Sequence, residues 1–165
     1  MIRIINNRVQ ETCCFIGHRT IDESEELKKA LLDSIERLIT EKSINTFLFG
    51  SRSRFDTFCL ELVTQIKEKH PHIKRIYVRA EFPIIRDDYK SYLLNLYDDT
   101  FYPEKALGAG KGVYVKRNYE MIDKSRFCIF YYDEKSLTAN KSGTKTALDY
   151  AAKRGKEIII INQQR

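Results

Sequence analysis

Short apolar runs that stop at a glycine or a charged residue, each followed by a segment with helical spacing, recur along this chain and leave few folds open. The first run, "TCCFIG" (Thr12 to Gly17), is continuously apolar rather than alternating, which marks a strand buried on both faces. Leu27, Leu31, Ile35, Leu38 and Ile39 then recur at helical spacing over residues 22–42, with Thr20 and Glu23 in capping-box spacing at the start. "TFLFG" (Thr46 to Gly50) repeats the strand-then-glycine pattern. Phe55, Cys59, Leu62, Val63 and Ile66 mark a second amphipathic helix that ends before Pro71, and "RIYVRA" (Arg75 to Ala80) reads as a third strand.

The middle is less regular. Tyr89, Tyr92, Leu93, Leu96 and Tyr97 read as a helix, "DDTFYPEKALGAGKGV" as a loop, and "YVKRNYEMIDKS" as a further short helix. "FCIFYYD" (Phe127 to Asp133) is a fourth buried strand. A polar loop, a helix opened by Ser-Gly-Thr and a last strand, "EIIIIN", follow. Strand–helix alternation with doubly buried strands predicts an α/β fold: a doubly wound, mostly parallel sheet with flanking helices, in a single domain over residues 1–165.

Composition narrows the function classes. At 165 residues, 42% apolar and 32% charged, the chain is long enough for one ordinary core. No apolar run approaches the roughly 18 residues that span a bilayer, and the N-terminus lacks the features of a signal peptide, so a cytoplasmic protein without membrane contact is expected. Cys13, Cys14, Cys59 and Cys128 show no C-x-x-C spacing and sit in apolar segments, as buried free thiols do. His18, His70 and His72 are too few and too scattered to complete a zinc site, so neither metal nor cofactor is expected. The net charge of +6 favours anionic partners, nucleotides and nucleic acids included, although the basic residues are interspersed with acids.

In an open parallel sheet, ligands bind outside the carboxyl ends of the strands. Four segments fall there: "GHRT", "GSRSRFD", "VRAEFP" and "DEKSLTANKSGT". They bring Arg19, Arg52, Arg54, Arg79, Lys141 and Lys145 beside Gly17, Gly50 and Gly143, and arginine forks with exposed amides make a phosphate site. Each feature has a structural alternative. Ser53 and Asp56 form a capping pair by spacing, Ser142 or Thr144 caps the last long helix with Gly155 as its stop, and His18 is either a packing or a ligand-facing residue. "GAGKG" lacks the Walker spacing and reads as a lid or connector.

In this order "CCFIGHR", "FGSRSRFD", "VKRNYEMIDKSRFCIFYYD" and "SGTKTALDYAAKRGKEIIII" resemble the SLOG superfamily, and among its members the small bacterial proteins. That group includes the cytokinin-activating LOG proteins and the DprA/Smf and YspA-like proteins; the resemblance covers Thr12 to Ile161. It implies a Rossmann-like sheet and a pocket for a nucleotide or nucleotide-derived ligand. The rim argument and the resemblance together assign to that pocket Gly17, His18 and Arg19; Gly50, Ser51, Arg52, Arg54 and Asp56; and Arg117 and Asn118, and the resemblance implies Ser142, Gly143 and Thr144 as the phosphate cradle.

The departures from the family pattern carry equal weight. Active LOG enzymes resemble P-G-G-x-G-T-x-x-E, whereas Lys141 to Ala147 offers no carboxylate at position 146 or 147, and Asp149 lies further along. Arg117 matches the arginine of the E-R-K-x-x-M motif, but Lys116 replaces the glutamate before it. Where other members resemble G-G-A-x-G-F-D, this chain gains Arg52 and Arg54, so the loop is expected to grip by side chain more than by main chain. The resemblance therefore implies a non-catalytic binder, with no catalytic residue assigned, acting as a sensor or sponge of a nucleotide signal in antiviral defence or counter-defence. The alternatives are a phosphoribohydrolase using Asp149, Asp56 or Asp123, and a DprA-like binder of single-stranded DNA, for which Tyr131 and Tyr132, on opposite strand faces, make a poor platform. Family resemblance also implies a homodimer, paired through helices beside the pocket such as that of residues 89–97.

Overall fold

The computed structural model describes residues 8–135 and 143–161. In chain order its elements are β1 (Thr12–Gly17), α1 (Glu25–Lys42), β2 (Thr46–Phe49), α2 (Arg54–Lys67), β3 (Lys74–Val78), α3 (Asp87–Leu96), β4 (Asp99–Phe101), α4 (Val113–Asp123), β5 (Phe127–Tyr131), α5 (Gly143–Lys153) and β6 (Glu157–Ile161). The strands form one sheet in the order β4-β3-β2-β1-β5-β6, and every neighbouring pair is parallel. From β1 the chain steps outward to β4, then returns to the other side of β1 at β5. The strand order reverses between β1 and β5, and loops leaving a reversal in opposite directions open a crevice above it.

Burial on both faces explains the uniform apolar runs. Cys13, Phe15, Phe47 and Phe49 point into one core with the apolar stripes of α1 and α2, Leu31, Ile35, Cys59 and Val63 among them. Their strand neighbours Cys14, Ile16 and Leu48 point into the other core, with Met121 and Ile122 of α4 and Ala147 and Ala151 of α5. The two alanines let α5 lie close on the sheet. All four cysteines are buried and unbridged. No described helix is long and apolar enough to cross a membrane.

The structure corrects the sequence reading at three points. First, "DDTFYPEKALGAGKGV" is not wholly a loop: it holds β4 and two short 3-10 turns, Glu104–Ala106 and Gly110–Gly112. β4 has only three residues and pairs with β3 alone, too little to show a pattern. Second, α1 is capped by Ser24, whose Oγ accepts from the Leu27 amide at 3.1 Å, because Glu23 is drawn away to Arg54. Third, Thr144 does not cap α5: it lies within the first turn, 5% exposed. Ser142 and Lys141 lie outside the described residues. Gly155 does stop α5, at φ 67°, with its amide bonded to the Ala152 carbonyl.

Candidate functional site

A cleft of about 1030 Å³ lies over the carboxyl ends of the central strands. Gly17, His18 and Arg19 follow β1, Gly50, Ser51, Arg52, Arg54 and Asp56 follow β2, Arg117 and Asn118 stand on α4, and Gly143 and Thr144 open α5; all of them line the cleft. Arg79 and Lys145 do not. Arg79 instead donates to the Phe82 and Pro83 carbonyls and to Thr100 Oγ1, and Lys145 pairs with Asp149 at 2.7 Å.

The β2–α2 turn is organised around Asp56. Its Oδ2 accepts from the amides of Gly50 at 3.0 Å and Ser51 at 2.7 Å. Those two amides are therefore turned inward, away from any ligand. Ser53 Oγ caps α2 by accepting from the Asp56 amide at 3.3 Å, and Ser51 Oγ donates to Ser53 Oγ at 2.9 Å. Ser53 and Asp56 are thus a capping pair and also part of the cleft. Burial raises the Asp56 carboxyl from its ordinary 3.8 to about 6, against the opposing pull of the two amides and of Arg117. Gly50 is required by close approach: a Cβ there would meet Met121 Sδ at 2.4 Å and Arg117 Nε at 2.9 Å. At Gly17 the same atom would strike the Phe55 ring at 2.3 Å.

Arg117 forms the floor. It is 7% exposed, donates from Nε to Asn118 Oδ1 at 3.2 Å and lies 5.5 Å from the Tyr114 ring centroid. No carboxylate stands within ion-pair distance of it among the described residues, although the charge of Asp56 acts on it from further off. Burial depresses its pKa, yet a guanidinium stays protonated, so the cleft holds a desolvated cation without a contact anion among the described residues.

The other arginines are differently committed. Arg52 donates to Tyr89 Oη at 2.9 Å and lies over the rings of Tyr89 and Tyr92 at 5.6 and 5.5 Å. Arg54 is clasped by both oxygens of Glu23 at 2.5 Å, and its amide donates to the Arg19 carbonyl at 3.0 Å. These contacts tie the β1–α1 loop to the β2–α2 turn. The His18 ring packs against Tyr131 and Tyr132 and also lines the cleft. The Asp133 amide donates to its Nε2 at 3.0 Å, so a neutral ring keeps its proton on Nδ1, and burial lowers its pKa.

Of the substitute carboxylates, only Asp56 lines the cleft. Asp149 is exposed and paired with Lys145. Asp123 is held on another surface by Lys105, Tyr150 and Arg154. Thr146 is exposed and Ala147 is packed against the sheet. Tyr131 and Tyr132 are 2% and 5% exposed, so neither presents a ring face to a base. "GAGKG" is a connector: Gly108 and Gly110 bend at φ 71° and 58° on the way into α4, and none of its residues lines the cleft.

Sequence reasoning overlooked Tyr77, Glu81, Tyr114 and Met121, which also line the cleft. Tyr114 was findable, since it stands one helical turn before Arg117. Glu81 sits inside "VRAEFP", a segment already placed on the rim.

Residues 10–165 match the YspA SLOG family. The uncharacterized SPbeta prophage-derived protein YoqJ of Bacillus subtilis (strain 168) is 33% identical over 143 residues, which cover 77% of this chain and 81% of that protein.

Proposed function

Because the chain belongs to the YspA SLOG family, whose superfamily points to a nucleotide-related role, we propose that its cleft binds a nucleotide or nucleotide-derived signalling ligand without hydrolysing it. The observation that carries this is Arg117, a guanidinium 7% exposed, facing the cleft with no contact carboxylate among the described residues. A phosphate supplies the missing anion, and each charge-assisted hydrogen bond contributes roughly 1.5–3 kcal/mol. The cleft is at the upper end of the size of small-molecule sites, which leaves room for a nucleoside beside its phosphate. A sensor or a sponge of such a signal accords with the prophage origin of the relative.

Mass spectrometry of small molecules released from the denatured protein identifies the ligand, and calorimetry with that compound tests the site. Arg117→Ala is expected to bind it at least tenfold more weakly; affinity equal to the parent's places the ligand elsewhere. The absence of hydrolysis rests on α5, which carries Thr146 and Ala147 where a LOG-like enzyme presents glutamate. Incubation with ribonucleoside monophosphates and chromatography for free base checks it. Turnover of about 1 per second, lost in Asp56→Asn, the one substitute carboxylate that lines the cleft, overturns the binder in favour of an enzyme.

Two copies are proposed to associate through α3, where Tyr92, Leu94 and Leu96 are 50%, 43% and 40% exposed beside the Arg52 corner of the cleft. Light scattering at tens of micromolar protein decides this: a monomer with and without ligand refutes the pairing.

A further inference from the structure

The donors and cations of the cleft answer an anion, but four acidic residues also line it. Asp56 is taken by the amides of Gly50 and Ser51, Asp22 and Asp133 are engaged by contacts of their own, and the fourth is Glu81. Glu81 lies three residues beyond the end of β3, is exposed, and makes no hydrogen bond or ion pair among the described residues. It lines the same cleft as Arg117 and Tyr77, and its charge reaches both.

Its backbone is held in place. Ala80 on one side is 3% exposed. On the other, Arg79 donates to the Phe82 carbonyl at 3.3 Å and the Pro83 carbonyl at 3.1 Å, while its own amide donates to the Phe101 carbonyl at 2.9 Å. An arginine that the sequence placed among the phosphate ligands is thus spent on bracing the turn that presents a carboxylate.

A carboxylate offers two acceptor oxygens and no donor. It repels a phosphate, so next to Arg117 it suits a ligand whose uncharged hydrogen-bond donors adjoin its anionic group. In a nucleotide those donors are the vicinal ribose hydroxyls, since the base amines lie at the far end of the molecule. Acidic side chains at strand carboxyl ends take ribose hydroxyls in dinucleotide-binding folds for the same reason. Tyr114, 51% exposed and stacked over Arg117, offers a ring face to the base.

We propose that Glu81 reads the sugar, accepting from the ribose hydroxyls while Arg117 holds the neighbouring phosphate, so that the cleft selects ribonucleotides over deoxyribonucleotides and over inorganic phosphate. This rests on the nucleotide reading of the same cleft. The test is calorimetry on the parent, Glu81→Ala and Arg117→Ala, with the four ribonucleoside 5′-monophosphates, inosine 5′-monophosphate, the 2′-deoxy counterparts and inorganic phosphate.

The parent is expected to prefer ribo over deoxy by about tenfold or more. In Glu81→Ala the ratio falls to near one with little change in deoxy affinity, whereas Arg117→Ala weakens both series and keeps the ratio. Glu81 is exposed, so its variant does not depend on the core to fold. Equal binding of the two series by the parent overturns the role of Glu81 and leaves the nucleotide reading standing. A Glu81-dependent preference for adenosine over inosine monophosphate, with none for ribo over deoxy, moves the carboxylate to the base and overturns the proposal too. If the parent binds no nucleotide, the broader reading itself falls and takes this one with it.

Discussion

The β2–α2 turn and the start of α5 resemble each other in sequence, each with a glycine beside a serine at the carboxyl edge of the sheet, yet the two glycines serve opposite ends. Gly50 is buried, its amide is bound by Asp56, and the space where its Cβ would stand is filled by Met121 and Arg117. Gly143 is exposed, with no atom of the described residues within 4 Å of a Cβ placed there. The first is small so that the protein's own arginine can lie across it. The second leaves a helix N-terminus open to whatever enters the cleft. A glycine on a ligand-binding rim is therefore ambiguous until the residues packed on it are known, and those come from distant parts of the chain.

The largest effect that sharpens this contrast is expected at the arginine itself. Arg117→Met keeps the aliphatic stem but ends short of the guanidinium, removing a buried charge with no contact carboxylate among the described residues. Relief of its desolvation is expected to leave stability level or raise it. Ligand affinity is expected to fall by tenfold or more, while the denaturant midpoint stays level or rises. A variant that loses stability and keeps its ligand would show Arg117 to be a structural cation instead.

Gly50→Ala is next. The added methyl meets Met121 Sδ, which can shift, but also Arg117 Nε in mid-chain, which cannot move without disturbing the guanidinium. Overpacking of this kind costs about 1–3 kcal/mol. Both stability and affinity are expected to drop together, read by urea unfolding and calorimetry on one preparation. A drop in neither would mean that the turn has slack at Gly50.

Asp56 ties the same turn and carries a pH signature. Its pKa is raised by burial from 3.8 to about 6, so its contribution to stability is fully present below the ordinary value and is lost as pH rises through about 6. Compared with Asp56→Asn, the parent is expected to gain stability between pH 7 and pH 5, on the order of 1 kcal/mol. Urea unfolding at pH 5, 6 and 7 checks the sign; parallel pH profiles for the two proteins would place Asp56 in contact with water.

How much of this was legible follows from the same contacts. The central strands were readable because burial on both faces makes every residue apolar, and α1 and α2 because each buries one stripe. β4 was not, since three residues paired on one edge leave no periodicity. The rim positions were readable from one rule, that ligands sit at strand carboxyl ends, and it brought the described candidates around one cleft except Arg79 and Lys145. The rule says nothing about which partner claims each side chain. Glu23 takes Arg54 from 31 residues away, while the 82–83 turn takes Arg79 and Asp56 takes the amides of Gly50 and Ser51 within tight turns whose geometry the residue pattern does not fix. The expectation of a side-chain grip at the β2–α2 turn accords with the inward amides, but of its two new arginines only Arg52 is without a carboxylate partner in ion-pair distance among the described residues.

The smallest effect is expected at the other glycine. Gly143 does not adopt a left-handed backbone, and an alanine there meets nothing among the described residues, so the first turn of α5 is expected to accept it without strain. Restricting the unfolded chain then stabilises the protein by about 0.4–1 kcal/mol, opposite in sign to Gly50→Ala. The methyl does intrude where an anion would approach the first amides of the helix, an interaction of about 0.3–1 kcal/mol, so affinity is expected to fall by about two- to fivefold. Thermal melting and calorimetry on Gly143→Ala measure the two terms separately. Higher stability with reduced affinity places the ligand on the α5 entrance as well as on Arg117. Higher stability with unchanged affinity removes α5 from the site and leaves the anion to Arg117 and Arg52 alone.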